Sequence, residues 1–172
     1  RLHRWASEVL ARQTGPSPSL SRLQQLAYHF REAQLWEPAF EHQLRAGIET
    51  WKLGQASAAR RYLETAQCIY TEHLVDVSAT QRVVLGMTLG DVCRHLGSFE
   101  QAVTHYRDVV PLVQEDASAL ARAYLGLAIA QKRRVDLQGA RRSLDEAKKG
   151  LEGTDEALLL SRIAAQYSII AV

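Results

Sequence analysis

Apolar residues recur every three or four positions along most of this 172-residue chain, and this spacing is typical of amphipathic helices. Leu23, Leu26, Ala27 and Phe30, for example, fall on one face of a helix that we predict over residues 20–34. No segment alternates apolar and polar residues with a period of two, so the sequence predicts no strand. We therefore expect an all-α fold.

About nine helices follow from this spacing and from the turn residues between them. We predict them over residues 1–13, 20–34, 39–53, 56–75, 78–95, 98–110, 116–134, 137–150 and 155–172. A stretch rich in Gly, Pro and Ser over residues 14–19 is the one break in composition. We expect residues 1–15 to be a leading helix that ends a preceding module, residues 16–19 to be a linker, and residues 20–172 to be a helical array truncated at its C-terminal end.

Residues 83–111 carry the pattern that organises the rest of the chain. Gly90 and Ala102 are small residues on consecutive predicted helices, where close approach of the two helices requires them, and Gly97 gives the turn its conformational freedom. This stretch resembles a tetratricopeptide (TPR) repeat. The match rests on Leu89, Gly90, Gly97, Phe99, Ala102, Tyr106 and Pro111. The resemblance implies a right-handed superhelical stack of antiparallel helix pairs, a TPR-like α-solenoid.

Composition and charge narrow the class of protein. Hydrophobic residues make up 47% and charged residues 23% of the chain, which is typical of a globular domain. Lys and Arg number 21 against 19 Asp and Glu, so overall charge gives no argument for a nucleic-acid partner. No apolar run reaches the roughly 20 residues that span a bilayer. Cys68 and Cys93 form no disulfide or zinc pattern, and we expect free thiols in the cytoplasm.

The densest positive cluster leaves three interpretations open. It comprises Lys132, Arg133, Arg134, Arg141 and Arg142. A solvated surface is the interpretation we favour, and an acidic protein partner comes second. Nucleic acid ranks last, because a single-strand binder would place aromatic residues among these cations and none is present.

Candidate catalytic chemistry is sparse. His29, His42, His73, His95 and His105 include no pair at i and i+4, the spacing that places two metal ligands on one helix face. The chain also lacks a Gly-x-Ser-x-Gly motif and a P-loop. We therefore expect no catalytic residue, metal or cofactor, and a non-enzymatic role.

A narrower resemblance covers residues 2–66. The residues that carry it are His3, Arg4, Leu26, Ala27, His29, Phe30, Ala33, Trp36, Ala39, Ala46 and Gly47. With these residues the segment is similar to the region that follows the ATPase module in bacterial multidomain signalling ATPases of the STAND/AAA type, including those fused to nucleotide-cyclase, kinase or DNA-binding domains. The resemblance implies an ATP-binding module before this chain and a helical sensor or scaffold array after it.

The TPR resemblance also implies a binding groove, because the first helix of each pair lines the concave surface in that family. The groove positions that we select as partner-binding are Trp51, Lys52, Met87, Asp91, Arg94, His95, Arg122, Lys132 and Arg133. The same offsets include Leu44, Ile48, Leu125 and Ile129, for which a core role is equally favoured. For Asp91 and Arg94, three apart on a helix, a solvated ion pair is the favoured interpretation.

Our leading hypothesis is a non-enzymatic, cytoplasmic protein–protein interaction segment of a larger bacterial signalling ATPase or transcriptional regulator. It binds a protein or peptide partner, or another domain of the same chain, and relays assembly state through its groove. One alternative is a small-ligand sensor with a pocket inside the superhelix. The other is a scaffold that forms homo-oligomers through the ninth helix.

Overall fold

A computed structural model describes residues 2–12 and 18–170 of the chain. Within these ranges the chain forms nine α-helices, one short 3-10 helix and no strand, which confirms the all-α prediction. The α-helices are α1 (Leu2–Arg12), α2 (Leu20–Glu32), α3 (Trp36–Lys52), α4 (Ala56–His73), α5 (Ala79–His95), α6 (Phe99–Val109), α7 (Ala117–Arg133), α8 (Leu137–Gly150) and α9 (Ala157–Ile170). The 3-10 helix (Val110–Leu112) follows α6.

The predicted helix bounds agree with the structure most closely at α8 and least at the start of α3. That helix begins at Trp36, three residues before the predicted start, and takes Pro38 into its first turn. A proline is tolerated there because its missing N–H would have had no partner within the helix. The predicted linker at residues 16–19 lies partly outside the described residues, and the division of residues 1–15 from the array stays a prediction.

Four of the turns between consecutive helices share one design. In each, a residue at positive φ ends the first helix, and the next N–H donates to the carbonyl five residues earlier, as in a Schellman motif. The residues at positive φ are Gln34 (57°), Gly54 (76°), Gly97 (77°) and Val135 (64°). The corresponding bonds are Leu35 to Phe30 (3.0 Å), Gln55 to Thr50 (3.2 Å), Ser98 to Cys93 (2.8 Å) and Asp136 to Gln131 (3.0 Å). The turns therefore define equivalent positions in successive helix pairs.

The chain divides into two compact units, residues 1–78 and residues 79–172. In the first unit, α3 packs against both α2 and α4, and α1 packs against α2. In the second unit, α5 pairs with α6 and α7 with α8, while α7 also contacts α5, α6 and α9. None of the helices in the described ranges combines the length and hydropathy needed to cross a membrane.

One small-to-large contact recurs at equivalent positions of the helix pairs. In α3/α4, a Cβ added to Gly47 would lie 2.6 Å from the Leu63 side chain, and in α5/α6 one added to Gly90 would lie 2.7 Å from the Tyr106 ring. The corresponding residues of α7/α8 are Ala128 and Leu144, both in one core cluster. The predicted role of Gly90 in close helix packing is thus confirmed.

Candidate protein-binding groove

A small cavity lies in the second unit among helices α5, α7 and α9, and we call it the second-unit groove. Its lining residues are Met87, Asp91, Arg94, Arg122, Leu125, Gly126, Ile129 and Arg162. The volume is about 120 Å³, against the roughly 300–1,000 Å³ of pockets for drug-sized ligands. A space of this size accommodates a side chain or a small ion.

The Tyr106 ring sets the spacing of the helices around this groove. The residue is fully buried, and Cβ atoms added to Gly90 or Gly126 would lie 2.7 Å and 2.6 Å from its ring. One glycine belongs to α5 and the other to α7, so the ring, which comes from α6, fits between two helices that lack side chains at this level. The packing of one aromatic residue thus holds the groove helices in place.

The buried hydroxyl of Tyr106 forms a polar network with two residues that line the groove, Asp91 and Arg94. It donates to Oδ1 of Asp91 (2.8 Å), which also accepts from Nη2 of Arg94 (3.0 Å), and Nε of Arg94 donates to the Tyr106 oxygen (3.3 Å). Burial, with the nearby charge of Asp91, raises the pKa of Tyr106 far above its ordinary value. The predicted Asp91–Arg94 ion pair is therefore present. It is not only solvated, because both residues also form hydrogen bonds with the buried Tyr106.

Two groove arginines differ from Arg94 because they have no counter-ion in residues 2–12 and 18–170. Arg122, on α7, makes only a hydrogen bond from Nε to the Ser118 carbonyl oxygen (3.3 Å). Arg162, on α9, forms no ion pair and is exposed, as is Arg122. The groove therefore carries positive charge that its single lining carboxylate, Asp91, does not balance.

Lys132 lies further along α7 and is not one of the residues that line the groove. Its Nζ donates to Oε1 of Gln166 on α9 (2.6 Å), which joins the two helices. Burial, followed by the charge of Arg133, lowers the pKa of Lys132. Arg133 is exposed at the end of the helix.

The structure brings together four of the nine predicted partner-binding residues in one cavity: Met87, Asp91, Arg94 and Arg122. His95 is exposed at the last position of α5. Trp51 and Lys52 lie in the first unit, where Lys52 pairs with Glu49 (2.8 Å) and Trp51 is half-buried. Their role as partner-binding residues stays a prediction.

The four apolar residues for which a core role was equally favoured differ in burial. Leu44 and Leu125 are buried, whereas Ile48 and Ile129 are half-buried. Leu125 and Ile129 also line the second-unit groove, so at these positions the core and the groove share the same side chains.

Two cations of the positive cluster predicted around the α7–α8 turn contact different helices. Lys132 bonds to α9, while Arg134 pairs with Glu100 on α6 (3.4 Å). The groove cations come instead from three separate helices.

Arg162, a groove residue on α9, was not predicted because the sequence comparison of repeats stopped at α8. Its position in α9 is a signal that could have identified it, because Arg122 and Arg162 both lie five residues after the start of their helices.

The first unit has a larger and more open cavity of about 620 Å³, which we call the first-unit cavity. Its lining residues are Arg31, Trp36, Arg61, Glu64, Thr65, Cys68, Ile69 and His73. The rings of Trp36 and His73 stack in parallel, with centroids 3.8 Å apart and planes inclined by 9°. Glu64 pairs with Arg60 (2.7 Å) and Arg31 with Glu32 (2.9 Å), which leaves Arg61 as the lining cation without a counter-ion among the described residues.

Two histidines lie close together in the first unit. His3 Nδ1 lies 3.0 Å from His29 Nδ1, a pair from α1 and α2 that sequence spacing did not reveal. No group of three or more His, Cys, Asp or Glu in the described ranges is arranged to hold a metal ion. Cys68 is exposed and Cys93 is buried, and neither forms a disulfide.

Comparison with known proteins identifies the fold. No family model matches the chain, and no curated protein matches it. Among solved structures, MamA (residue 41 to the end) from Desulfovibrio magneticus RS-1 is similar over 99% of this chain and 92% of its own, with 18% identity and a TM-score of 0.61. The MamA RS-1 ArsTM double mutant is similar over 97% of this chain and 93% of its own, with 16% identity and a TM-score of 0.56.

A third solved structure, the APC/C hetero-tetramer Cut9–Hcn1, is similar over 96% of this chain, with 19% identity and a TM-score of 0.54. This chain spans 33% of that one. All three are TPR-type helical repeat structures. The chain has a TPR-like solenoid fold, as the sequence predicted.

Proposed function

We propose that this chain is a protein-interaction module and that the second-unit groove is its binding surface. The observation that carries the proposal is the convergence of α5, α7 and α9 on one cavity with an apolar floor and a charged rim. The floor is formed by Met87, Leu125 and Ile129. A desolvated apolar centre inside a polar rim is the usual anatomy of a protein-binding surface.

Selection from a library of displayed peptides on the immobilised chain tests this proposal. We expect enriched peptides whose affinity falls about tenfold with Ile129→Ala, because losing a central apolar contact costs more than about 1 kcal/mol. The matched control is Leu137→Ala, which removes an exposed side chain on α8 and should leave affinity unchanged. Enrichment of no peptide, or equal binding to both variants, would contradict the proposal.

The wider setting that we propose is a bacterial multidomain signalling ATPase or transcriptional regulator in the cytoplasm, in which this segment relays assembly state between the ATPase and the other domains. The support is the resemblance of residues 2–66 to the region that follows the ATPase module in such proteins. The matching residues include His3, Trp36 and Gly47. The coding sequence that precedes Arg1 provides the test. A P-loop there would support this setting, and a reading frame without an ATPase module would contradict it.

The first-unit cavity favours a second candidate function, the binding of a small ligand. Its volume falls within the range of small-molecule pockets, and Trp36 and Ile69 supply an apolar wall beside the Arg61 guanidinium. A thermal-shift screen of metabolites tests it, because a ligand specific for the folded state raises the melting temperature. A hit should lose its shift in Trp36→Ala and keep it in Trp51→Ala. A screen without such a hit would reject the ligand role.

Helix α9 favours a third candidate, self-association. The side chains of Leu158 and Ile169 are 75% and 57% exposed on this helix. Exposed apolar surface promotes association when it is contiguous. Light scattering over a concentration series, with Leu158→Ser as the comparison, would detect a dimer, and a constant monomer mass would exclude this role.

A further inference from the structure

Three arginines on three helices point to the chemistry of the partner. Arg94 lies on α5, Arg122 on α7 and Arg162 on α9, and all three line the second-unit groove. The one lining carboxylate, Asp91, already accepts hydrogen bonds from Arg94 and Tyr106. The groove therefore offers two guanidinium groups, those of Arg122 and Arg162, that no anion within the described ranges neutralises.

Bringing like charges to one small cavity is unfavourable unless an anion joins them. Guanidinium groups bind carboxylates in a bidentate manner, and they are favoured at interfaces because they are less strongly hydrated than an ammonium. Apolar walls from Leu125 and Ile129 lower the local polarity and strengthen such a contact. An acidic group is therefore the complement of this rim.

The volume of the groove limits what that group is attached to. The cavity of about 120 Å³ is well below the roughly 300–1,000 Å³ of pockets for drug-sized ligands, and it suits one side chain. A drug-sized anion does not fit. We propose that the groove binds an acidic segment of a partner protein, with one aliphatic side chain in the cavity on Met87 and Ile129 and a neighbouring Asp or Glu carboxylate at the exposed rim, between Arg122 and Arg162.

This inference rests on the proposed protein-binding function and adds the charge of the partner to it. The peptide selection described above separates the two. Enriched peptides with an excess of Asp and Glu beside an aliphatic residue support both. Enriched peptides without such an excess preserve the protein-binding function and overturn the acidic partner. Failure to enrich any peptide overturns the protein-binding function itself.

Charge reversal gives the sharper test with an enriched acidic peptide. We expect Arg122→Glu and Arg162→Glu each to weaken binding at least tenfold, and both sites are exposed, so folding should persist. Arg142→Glu, an equal change of charge at an exposed site on α8, is the matched control and should leave affinity within about twofold, because Arg142 is not one of the residues that line the groove and salt screens exposed charges.

A swap of the peptide charge completes the test. Replacing the critical Glu of the peptide with Lys should abolish binding to the natural chain and restore it with Arg122→Glu. Equal affinity of the Glu peptide and its Gln analogue would overturn the proposal. So would selection of phosphopeptides alone, or displacement of neutral peptides by inorganic phosphate, since either result would assign the arginines to a phosphate.

Discussion

The helix pairs α3/α4 and α5/α6 have the same turn geometry and the same contact between a glycine and a large side chain. The residues beside that contact are apolar in the first pair and polar in the second. Counted from the positive-φ residues of their turns, the equivalent sets are Ile48, Trp51 and Leu63 in the first pair, and Asp91, Arg94 and Tyr106 in the second. Leu63 and Tyr106 are both fully buried against a glycine. An apolar set in one pair is thus a hydrogen-bonded set in the other.

This difference separates architecture from recognition. A buried phenol needs a hydrogen-bond partner, and Asp91 provides it; the carboxylate in turn needs a cation, and Arg94 provides that. Both predicted groove residues therefore have a structural task. Arg122 and Arg162 have none of comparable kind, so the partner binding that we propose for this groove is assigned mainly to them.

Transplanting the apolar set into α5/α6 is the strongest way to test this comparison. Tyr106→Leu alone should cost about 2–4 kcal/mol of unfolding free energy, because it removes buried ring atoms and leaves Asp91 without the phenol. Adding Asp91→Ile and Arg94→Trp should recover part of the loss, so that the triple variant is more stable than the sum of the three single changes by about 0.5–3 kcal/mol. Urea unfolding of all four variants measures this coupling.

The reverse transplant in α3/α4 is the control. Leu63→Tyr alone should destabilise the first unit, since Ile48 and Trp51 cannot accept a hydrogen bond from a phenol. Strictly additive costs in α5/α6 would show that its three polar residues do not act as a unit, and the comparison between the pairs would fail.

A second prediction concerns the two glycines around Tyr106. Gly126→Ala should cost about 1–3 kcal/mol, because a Cβ would lie 2.6 Å from a ring that Gly90 confines on its other side. Gly150→Ala is the matched control, since the nearest atom to its Cβ, in Leu120, is 3.7 Å away. That change introduces no clash at the last residue of α8, so stability should stay the same or rise slightly. Equal melting temperatures for the two variants would contradict this packing.

These contacts also show which features of the structure could be predicted from the sequence. Amphipathic spacing and glycine turns predict the helices, because burial of one face and freedom in φ are local properties; Gly97 is the clearest case. The Asp91–Arg94 pair is local too, at i and i+3. The hydroxyl of Tyr106 joins it from another helix, and Arg162 reaches the groove from α9, so both depend on how the helices pack. The placement of the Tyr106 hydroxyl leaves no local pattern, and Arg162 is marked only by the position in α9 that it shares with Arg122 in α7.

A third prediction uses pH to compare Tyr106 with Leu63, which does not ionise. The folded state raises the pKa of Tyr106, chiefly by burial and next by the charge of Asp91, above the value of about 10 for an unfolded tyrosine. The folded chain thus keeps its proton where the unfolded chain loses it. Stability is complete below about pH 10 and should fall above it by up to roughly 1.4 kcal/mol per pH unit.

Denaturation at several alkaline pH values checks this slope. Tyr106→Phe should flatten it. Tyr167→Phe should remove a smaller part, because burial and then a hydrogen bond to Asp145 raise the pKa of Tyr167 to about 12, but that side chain is more open to solvent. Superimposable profiles for the natural chain and Tyr106→Phe would contradict the buried phenol.

The last prediction has the smallest effect and tests the feature that the helix pairs share. Val135 occupies the turn position that Gly54 and Gly97 occupy elsewhere, with φ of 64° and a side chain 80% exposed. A β-branched residue is strained there by about 1–2 kcal/mol, whereas glycine is not, although glycine adds about 0.5–1 kcal/mol of entropy to the unfolded state. Val135→Gly should therefore stabilise the chain by about 0.5–1 kcal/mol, and Gly97→Val should destabilise it by a similar or larger amount.

Thermal unfolding of both variants measures the two changes, with Val135→Asn as an intermediate that tolerates positive φ. If Val135→Gly instead lowers stability, the valine contributes contacts that its exposure does not suggest. If it raises stability as expected, the turn of α7/α8 forms despite its residue, because the bond from Asp136 to the Gln131 carbonyl and the packing of the two helices outweigh the local strain. The turn geometry would then be a property of the repeat rather than of its glycines.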